Sequence, residues 1–306
     1  MRASSTDMAP GKKEFKSGFA AIIGRPNVGK STILNRLVGE KVAIVTRKPE
    51  TTRNKIQGIL TRDDAQVIFV DTPGIHKPKN LLGKQITQVA KDALPEVDLI
   101  IFVLDVTKGI TPEDRIIFDL VKAAKKPAIL LINKVDLRSK ALALPLIDEG
   151  AKLYDFREII PASAANGDNM DILLRKVIEY LPVGSKYFPD EQFTDKDERF
   201  MVGEIVREKA LDLTHEEVPH SVAVLVEEFT ERPKKLVYIR AVIYVERHSQ
   251  KKILVGHNGR MLKAIGETAR RDIQKFLRRH AYLELWVKVH ENWRKDPNAL
   301  KILGYA

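Results

Sequence analysis

The sequence predicts an α/β domain built on a mostly parallel sheet, followed by a smaller α+β domain. Three observations lead there. Up to Tyr180, short apolar runs alternate with helical patterns, the pattern of a parallel sheet covered on both faces. From Ser185 to Asp197 the chain turns polar, with Pro189 and several acids, and reads as a linker. Beyond it the order is helix, strand, strand, helix, helix, strand. The expected organisation is a tail at 1–17, the α/β domain at 18–181, a linker at 182–197 and the α+β domain at 198–306.

The bulk numbers agree with two globular domains. Of 306 residues, 44% are hydrophobic and 30% charged, enough to form cores. There is no cysteine, which excludes disulfides and thiolate metal sites and fits a reducing compartment such as the cytoplasm. The seven histidines show no metal-ligand spacing. The net charge of +11 points to nucleic acid or an anionic membrane surface as partner. The best apolar run, Val97 to Val106, contains Asp98 and Asp105 and is too short to span a bilayer. The first 17 residues lack the apolar core of a signal peptide.

Phe19 to Ile23 reads as a short buried strand and Thr32 to Val38 as a helix. Between them, Gly24-Arg25-Pro26-Asn27-Val28-Gly29-Lys30-Ser31 fits G-x-x-x-x-G-K-[ST] at every fixed position. Such a loop curls backbone N–H groups around phosphate oxygens, and the helix N-terminus adds partial positive charge. Lys30 would reach the β- and γ-phosphates, and the Ser31 hydroxyl would sit on Mg²⁺. Thr46 to Arg53 is polar, contains Pro49 and is expected to be a mobile loop. Ile56–Thr61 and Val67–Val70 read as strands joined by the turn at Asp63-Asp64. The second runs into Asp71-Thr72-Pro73-Gly74, where Asp71 can hold a Mg²⁺ water and Gly74 can bring its N–H close to a γ-phosphate.

Leu81 to Leu94 looks helical and Leu99 to Leu104 is a strand. Thr111 and Pro112 look like the N-cap and first residue of a helix. Ala128 to Ile132 is a strand ending in Asn133-Lys134-Val135-Asp136. A helix over Leu142–Tyr154, a strand at Ile159-Ile160, Ser163-Ala164-Ala165 and a helix from Asp168 to Tyr180 complete the domain. The motifs all fall at carboxyl ends of strands, where such sheets bind ligands. The Asp136 carboxylate identifies the base: guanine offers two adjacent N–H donors, at N1 and N2, while adenine turns a lone pair to the same place. Asn133 and Lys134 would brace the loop and the base plane, and Ser163-Ala164 would bring a backbone N–H to guanine O6.

After the linker, Glu198 to Leu213 reads as a helix, and Ser221–Glu228 and Lys235–Arg247 as antiparallel strands. Val237, Ile239, Ala241, Ile243 and Val245 form a period-2 core stripe. A short helix then runs into Gly256-His257-Asn258-Gly259, and a second helix follows at once, with Leu262, Ile265, Ala269, Ile273, Phe276 and Leu277 facing the core. The last strand alternates Leu283, Leu285, Val287 and Val289 against Tyr282, Glu284, Trp286 and Lys288. This is the order of a type II KH domain, whose GxxG turn clamps about four nucleotides of single-stranded RNA or DNA. Lys252, Gly256, His257, Asn258, Gly259, Arg260 and Lys263 are the candidate contacts. From His248 onward, thirteen Lys and Arg face five Asp and Glu, so most of the excess charge sits in the last fifth of the chain.

Gly24–Ser31, the Thr51-Thr52-Arg53 loop, Asp71–Gly74, Asn133–Asp136 and Ser163–Ala165 resemble the five signature motifs of a translation-factor-class small GTPase. The resemblance implies a P-loop GTPase domain. It also implies GTP and GDP contacts from Gly24, Arg25, Pro26, Asn27, Val28, Gly29, Lys30, Ser31, Thr32, Asp71, Thr72, Pro73, Gly74, Asn133, Lys134, Asp136, Ser163 and Ala164. Mg²⁺ would be held by Ser31, Thr52 and Asp71, with Thr51 the fallback for Thr52; Lys30, Thr52 and Gly74 would carry hydrolysis. Ile75 stands where Ras-like proteins place a water-orienting Gln. Asn27 is open to two readings: a turn-former in the left-handed region, or, by resemblance, a ligand of K⁺.

A GTPase domain followed by a KH domain, with the ending Val287–Arg294 and Leu303-Gly304-Tyr305, is similar to the Era family of bacterial ribosome-assembly GTPases. The resemblance runs from Gly18 to Tyr305. It implies binding to 16S rRNA near its 3′ end and to the 30S subunit, a role in subunit biogenesis and rRNA processing, a monomer, and peripheral contact with the inner membrane. His257-Asn258 depart from the family's usual Lys-Gly or Glu-Gly pair and remove a cation from the clamp. The competing expectations are a constitutive RNA-binding module with a non-switching GTPase half, and a tRNA-modifying GTPase, against which the chain has no catalytic Cys and no folate- or flavin-type domain.

Overall fold

The computed structural model describes residues 14–46, 48, 51–75, 81–138, 142–233 and 235–305. The tail expected at 1–17 lies outside them as far as residue 13, and so do Arg47, Pro49 and Glu50 of the loop expected to be mobile. The strands β1 (Lys16–Gly24), β2 (Ile56–Thr61), β3 (Ala65–Asp71), β4 (Leu99–Asp105), β5 (Ala128–Asn133) and β6 (Glu158–Pro161) form one sheet. Its order is β2-β3-β1-β4-β5-β6, parallel throughout except for the antiparallel β2–β3 pair. The helices are α1 (Lys30–Val38), α2 (Leu81–Asp92), α3 (Pro112–Ala124), α4 (Ala143–Leu153) and α5 (Met170–Tyr180).

Two cores lie on opposite faces of this sheet. Along β4, Leu99, Ile101 and Val103 enter the core shared with α1 and α5, while Ile100, Phe102 and Leu104 enter the one shared with α2, α3 and α4. A strand buried on both faces reads as an unbroken apolar run, which is why β4 and β5 are so plain in the sequence. Thr111 caps α3 in a capping box with Asp114, as its sequence predicts. Asp114 Oδ2 also accepts from Arg25 Nε at 2.8 Å, so the start of α3 anchors the loop after β1.

Residues 182–197 are bound to the sheet's β2 edge rather than standing clear of it. Ile59 N donates to Phe193 O at 2.9 Å and Gln57 N to Asp195 Oδ1 at 2.8 Å. The fully buried Gln66 donates through Nε2 to Phe188 O at 2.8 Å and accepts from Tyr187 N at 2.7 Å. The segment thus covers an open sheet edge, whose unpaired backbone groups need partners.

The second sheet has the order β7 (Ala223–Arg232), β8 (Leu236–Val245), β9 (His280–Val289), antiparallel between the first two and parallel between the last two. The final strand is parallel because the chain crosses over through α8 (His248–Val255) and α9 (Arg260–Leu277). These helices and α6 (Glu198–Leu213) pack on the face bearing Val237, Ile239, Ala241, Ile243 and Val245. A short helix, α7 (Val218–Ser221), takes Ser221 out of the strand expected to begin there. Pro219 sets its first turn and Ser221 Oγ donates back to Val218 O at 2.9 Å. Leu262 and Phe276, expected in the core, are only half-buried. The chain ends in a 3-10 turn at Trp293–Lys295 and α10 (Pro297–Ile302). Among the described residues no helix is long and apolar enough to cross a membrane.

Candidate nucleotide site and nucleic-acid interface

The turn from β1 into α1 frames a cavity of about 280 Å³ lined by Pro26, Asn27, Gly29, Lys30, Ser31, Thr32, Thr51, Thr52, Gly74 and Lys134, with Ile44, Val45 and Thr46 on its far wall. Lys30 Nζ donates to the carbonyls of Gly24 at 3.2 Å and Arg25 at 2.9 Å, which holds the ammonium at the mouth of the loop. Burial lowers its pKa to about 8, partly offset by the Asp71 carboxylate. Burial raises the Asp71 pKa to about 6, against the pull of Lys30 and of hydrogen bonds from Ser31 and Thr52. Desolvation dominates both shifts because each charge has lost its water.

Ser31, Thr52 and Asp71 converge. Ser31 Oγ donates to Asp71 Oδ2 at 2.7 Å and lies 2.8 Å from Thr52 Oγ1, which is 3.3 Å from the same carboxylate oxygen. Asp71 Oδ1 is buried with no hydrogen-bond partner. Two hydroxyls and a carboxylate with an orphaned buried oxygen are a hard-oxygen set that fits Mg²⁺ completed by phosphate and water. Of the two candidate threonines, Thr52 is the one brought here; Thr51 Oγ1 instead donates to Lys48 O and meets Thr46 Oγ1.

Other predicted residues shape the site without facing it. The Val28 side chain is in the core, Thr72 Oγ1 donates to Ile22 O at 3.0 Å, and the Arg25 side chain is turned to Asp114. Ile75 is core, with its N–H on Gly24 O at 3.2 Å. Asn27 sits at φ 64, the turn conformation, and its carbonyl accepts from Lys134 Nζ at 2.6 Å.

The strand-end motifs come together beside this cavity. Asn133 Nδ2 donates to Val28 O at 2.8 Å and ties the end of β5 to the phosphate loop. Lys134 is held between Asn27 O and Asp105 Oδ2, the latter at 2.7 Å. Ser163 Oγ donates to Asp136 Oδ1 at 2.5 Å and fixes the carboxylate. The Ala164 N–H donates to Asn133 Oδ1 at 3.0 Å, so the Ser163-Ala164 turn is tied to the end of β5. Asn133 must satisfy both ends of its own buried amide, and Ala164 is the donor in reach.

At the other predicted site, Gly256 (φ 71) ends α8, Asn258 (φ 50) and Gly259 (φ 75) make the turn, and α9 starts at Arg260. Lys252, His257, Asn258, Arg260 and Lys263 are exposed around it. Gly259 and Lys263 open onto a groove of about 390 Å³ between α9 and the edge strand β9, floored by Leu262, Leu283 and Leu285.

A family model described as 50S ribosome-binding GTPase matches residues 19–134, and a KH-domain model matches residues 217–294. Among solved structures, an Era point variant from Aquifex aeolicus bound to GDP·AlF4⁻ is 43% identical, with a TM-score of 0.93 over 95% of this chain and 100% of that one. Era in complex with MgGDPNP and nucleotides 1506–1542 of 16S ribosomal RNA is 44% identical, with a TM-score of 0.93 over 95% and 99% of the two chains. The chain belongs to the Era family.

In this Era-family chain the GTPase and KH parts are bolted together at the loop that carries Thr52, a feature the sequence did not announce. Arg53, the next residue, is 3% exposed. Its Nη1 donates to Val222 O at 2.6 Å, and its guanidinium lies 5.7 Å from the Trp293 ring centroid and 5.5 Å from that of Tyr305. Arg207 of α6, paired with Glu204, donates to the carbonyl of Thr51. Glu208 accepts from Val45 N at 3.0 Å and Lys41 Nζ at 2.6 Å. From α2, beyond Gly74, Leu82 and Ile86 pack with Ala223, Trp293, Leu300 and Leu303. Sequence offered no signal for it: Arg53 is one of four cations between Arg47 and Lys55, and its partners lie far along the chain.

Proposed function

We propose that this chain is a GTP-hydrolysing switch that binds 16S rRNA near its 3′ end through its KH domain during 30S subunit biogenesis. The observation that carries the reading is the Ser31–Thr52–Asp71 cluster with its orphaned carboxylate oxygen, set beside a guanine-reading Asp136. The solved Era structures with GDP·AlF4⁻, with MgGDPNP and with the rRNA fragment support substrate, cofactor and partner.

The residues divide the work. The loop N–H groups and Lys30 hold the phosphates, and an anion there restores the ammonium that burial has disfavoured. Ser31, Thr52 and Asp71 would hold Mg²⁺, which neutralises charge on the β- and γ-oxygens. Thr52 and Gly74, which line the cavity, would face the γ-phosphate. Ile75 is locked in the core and cannot orient water, so intrinsic turnover is slow. Asn27 at the cavity wall is proposed as ligand of a K⁺ ion that supplies positive charge there. The protein would act as a cytoplasmic monomer with peripheral contact to the inner membrane, in line with its charge of +11.

The test is GTP turnover with Mg²⁺ in K⁺ and in Na⁺ at equal ionic strength. Slow hydrolysis, faster in K⁺, is expected, falling to background in Lys30→Ala. Undiminished turnover in that variant would overturn the site; equal rates in the two salts would remove potassium alone.

A further inference from the structure

The outer face of the three-stranded sheet is half covered. Ala223, Leu225 and Tyr244 lie under the C-terminal segment and α2. The other half is open and aromatic. Tyr238 and Tyr282, register partners on β8 and β9, stack with centroids 5.8 Å apart and planes within 10°. Tyr282 is 55% exposed and Trp286 54%. One carboxylate orders the array: Glu284 accepts from the Tyr238 hydroxyl through one oxygen and from Trp286 Nε1, at 2.7 Å, through the other. The Arg232 guanidinium lies over the Tyr238 ring at 4.4 Å. Large flat rings held out into water by a hydrogen-bonded support cost hydration and serve no core.

We propose that this face is a base-stacking platform for single-stranded RNA, continuous with the GxxG groove around the edge of β9. The proposal rests on the reading that the groove takes RNA. The continuity is a matter of alternation: Leu283 and Leu285 floor the groove on one face of β9, and Tyr282, Glu284 and Trp286 project from the other. Among the described residues no further strand pairs with β9, which ends the sheet, so an RNA strand leaving the groove meets the rings on turning one backbone. Sheets that present stacked aromatics bind two or three bases in other RNA-binding folds by the same physics. The acids nearby do not repel a phosphate chain unopposed. Glu227 is paired with Lys288 and Glu228 with Arg240, and the third carboxylate, Glu284, has the Arg232 guanidinium nearby, over the ring of its partner Tyr238. With local charge balanced, stacking rather than counterion release carries the binding.

That distinction makes the test. The full chain, loaded with a non-hydrolysable GTP analogue, is titrated with a tetranucleotide RNA that fills the groove alone and with a ten-nucleotide RNA containing it. The chain has two tryptophans, of which Trp293 is buried and Trp286 exposed, so indole quenching reports the platform. The longer RNA should bind more tightly and quench Trp286. Tyr282→Ala and Trp286→Ala should each weaken the longer RNA about tenfold or more, without changing its salt slope or the tetranucleotide affinity. Tyr282→Phe, which keeps the ring, should bind as wild type. Variants that bind the longer RNA undiminished overturn the platform. If they also lose 30S association, the face belongs to a protein partner and the RNA proposal falls. If neither RNA binds the wild type, the groove reading fails and takes the platform with it.

Discussion

Asp136 shows how one side chain can carry specificity and how the structure sharpens a sequence argument. Ser163 donates to its Oδ1, and in the proposed role Oδ2 would take the base. In Asp136→Asn the same hydroxyl would hold the amide oxygen and turn the NH2 into the pocket. That group repels the guanine N1–H and N2–H donors and suits the O2 of xanthine. GTP affinity should fall on the order of 10⁴-fold, with xanthosine triphosphate bound preferentially; competitive titration of the two nucleotides measures it, and unchanged GTP affinity would end the role. Asp71 gives a pH signature. Its pKa is raised in the folded protein to about 6, so its contribution to stability is present below the unfolded value and is lost as pH rises through about 6. Mg²⁺ demands the carboxylate, and must displace a proton at low pH. The rise in Tm on adding MgGDP should therefore be larger at pH 7.5 than at pH 5, and Asp71→Asn should erase the difference. Equal rises at both pH values in the wild type would refute it.

At the level of elements, most of the fold was legible because local pattern and tertiary role coincide. The β4 run is apolar because both its faces are covered, Thr111-Pro112 reads as a helix start because it is one, and the β8 stripe alternates because only one of its faces packs on helices. What stayed hidden depends on distant partners. Gln66 looks like an ordinary polar strand residue until Tyr187 and Phe188 arrive at its amide. Leu262 continues a helical seam by spacing, yet it floors a groove because α9 stands off the β9 edge there. The GxxG turn belongs to this scale as well. Replacing His257 and Asn258 together, as His257→Asp and Asn258→Asp, keeps the loop length and puts two negative charges against the phosphate chain. RNA affinity should drop steeply and its salt slope flatten as fewer counterions are released. GTP affinity should not move, since no residue of that turn lines the nucleotide cavity. An RNA titration over a salt series, with wild-type affinity in the double variant, would discard the clamp.

Across the whole molecule the question is whether the two sites speak to each other. The geometry offers a short route. Thr52 joins Ser31 and Asp71, and Arg53, one residue on, is clasped by Val222, Trp293 and Tyr305. Loops of this kind order on the γ-phosphate and relax on its loss, so displacing Thr52 would pull on Arg53 and its contacts with the KH part. None of this could be read from spacing, because Arg53 meets partners far along the chain. If the clasp transmits the nucleotide state, RNA affinity with a non-hydrolysable GTP analogue should differ from that with GDP by roughly 5- to 150-fold. Linkage requires RNA to change the analogue-over-GDP preference by the same factor. Arg53→Ala removes the guanidinium from between the rings and should bring the ratio toward one. Arg53→Lys keeps the charge but loses the planar stack, and should fall between. Both nucleotides should still bind, because Arg53 is not part of the cavity wall. RNA titrations of the wild type and both variants in each nucleotide decide it. A wild-type ratio of one leaves two independent modules on a single chain, and a ratio that survives in Arg53→Ala moves the coupling to the α2 contact of Leu82 and Ile86 with Leu300 and Leu303.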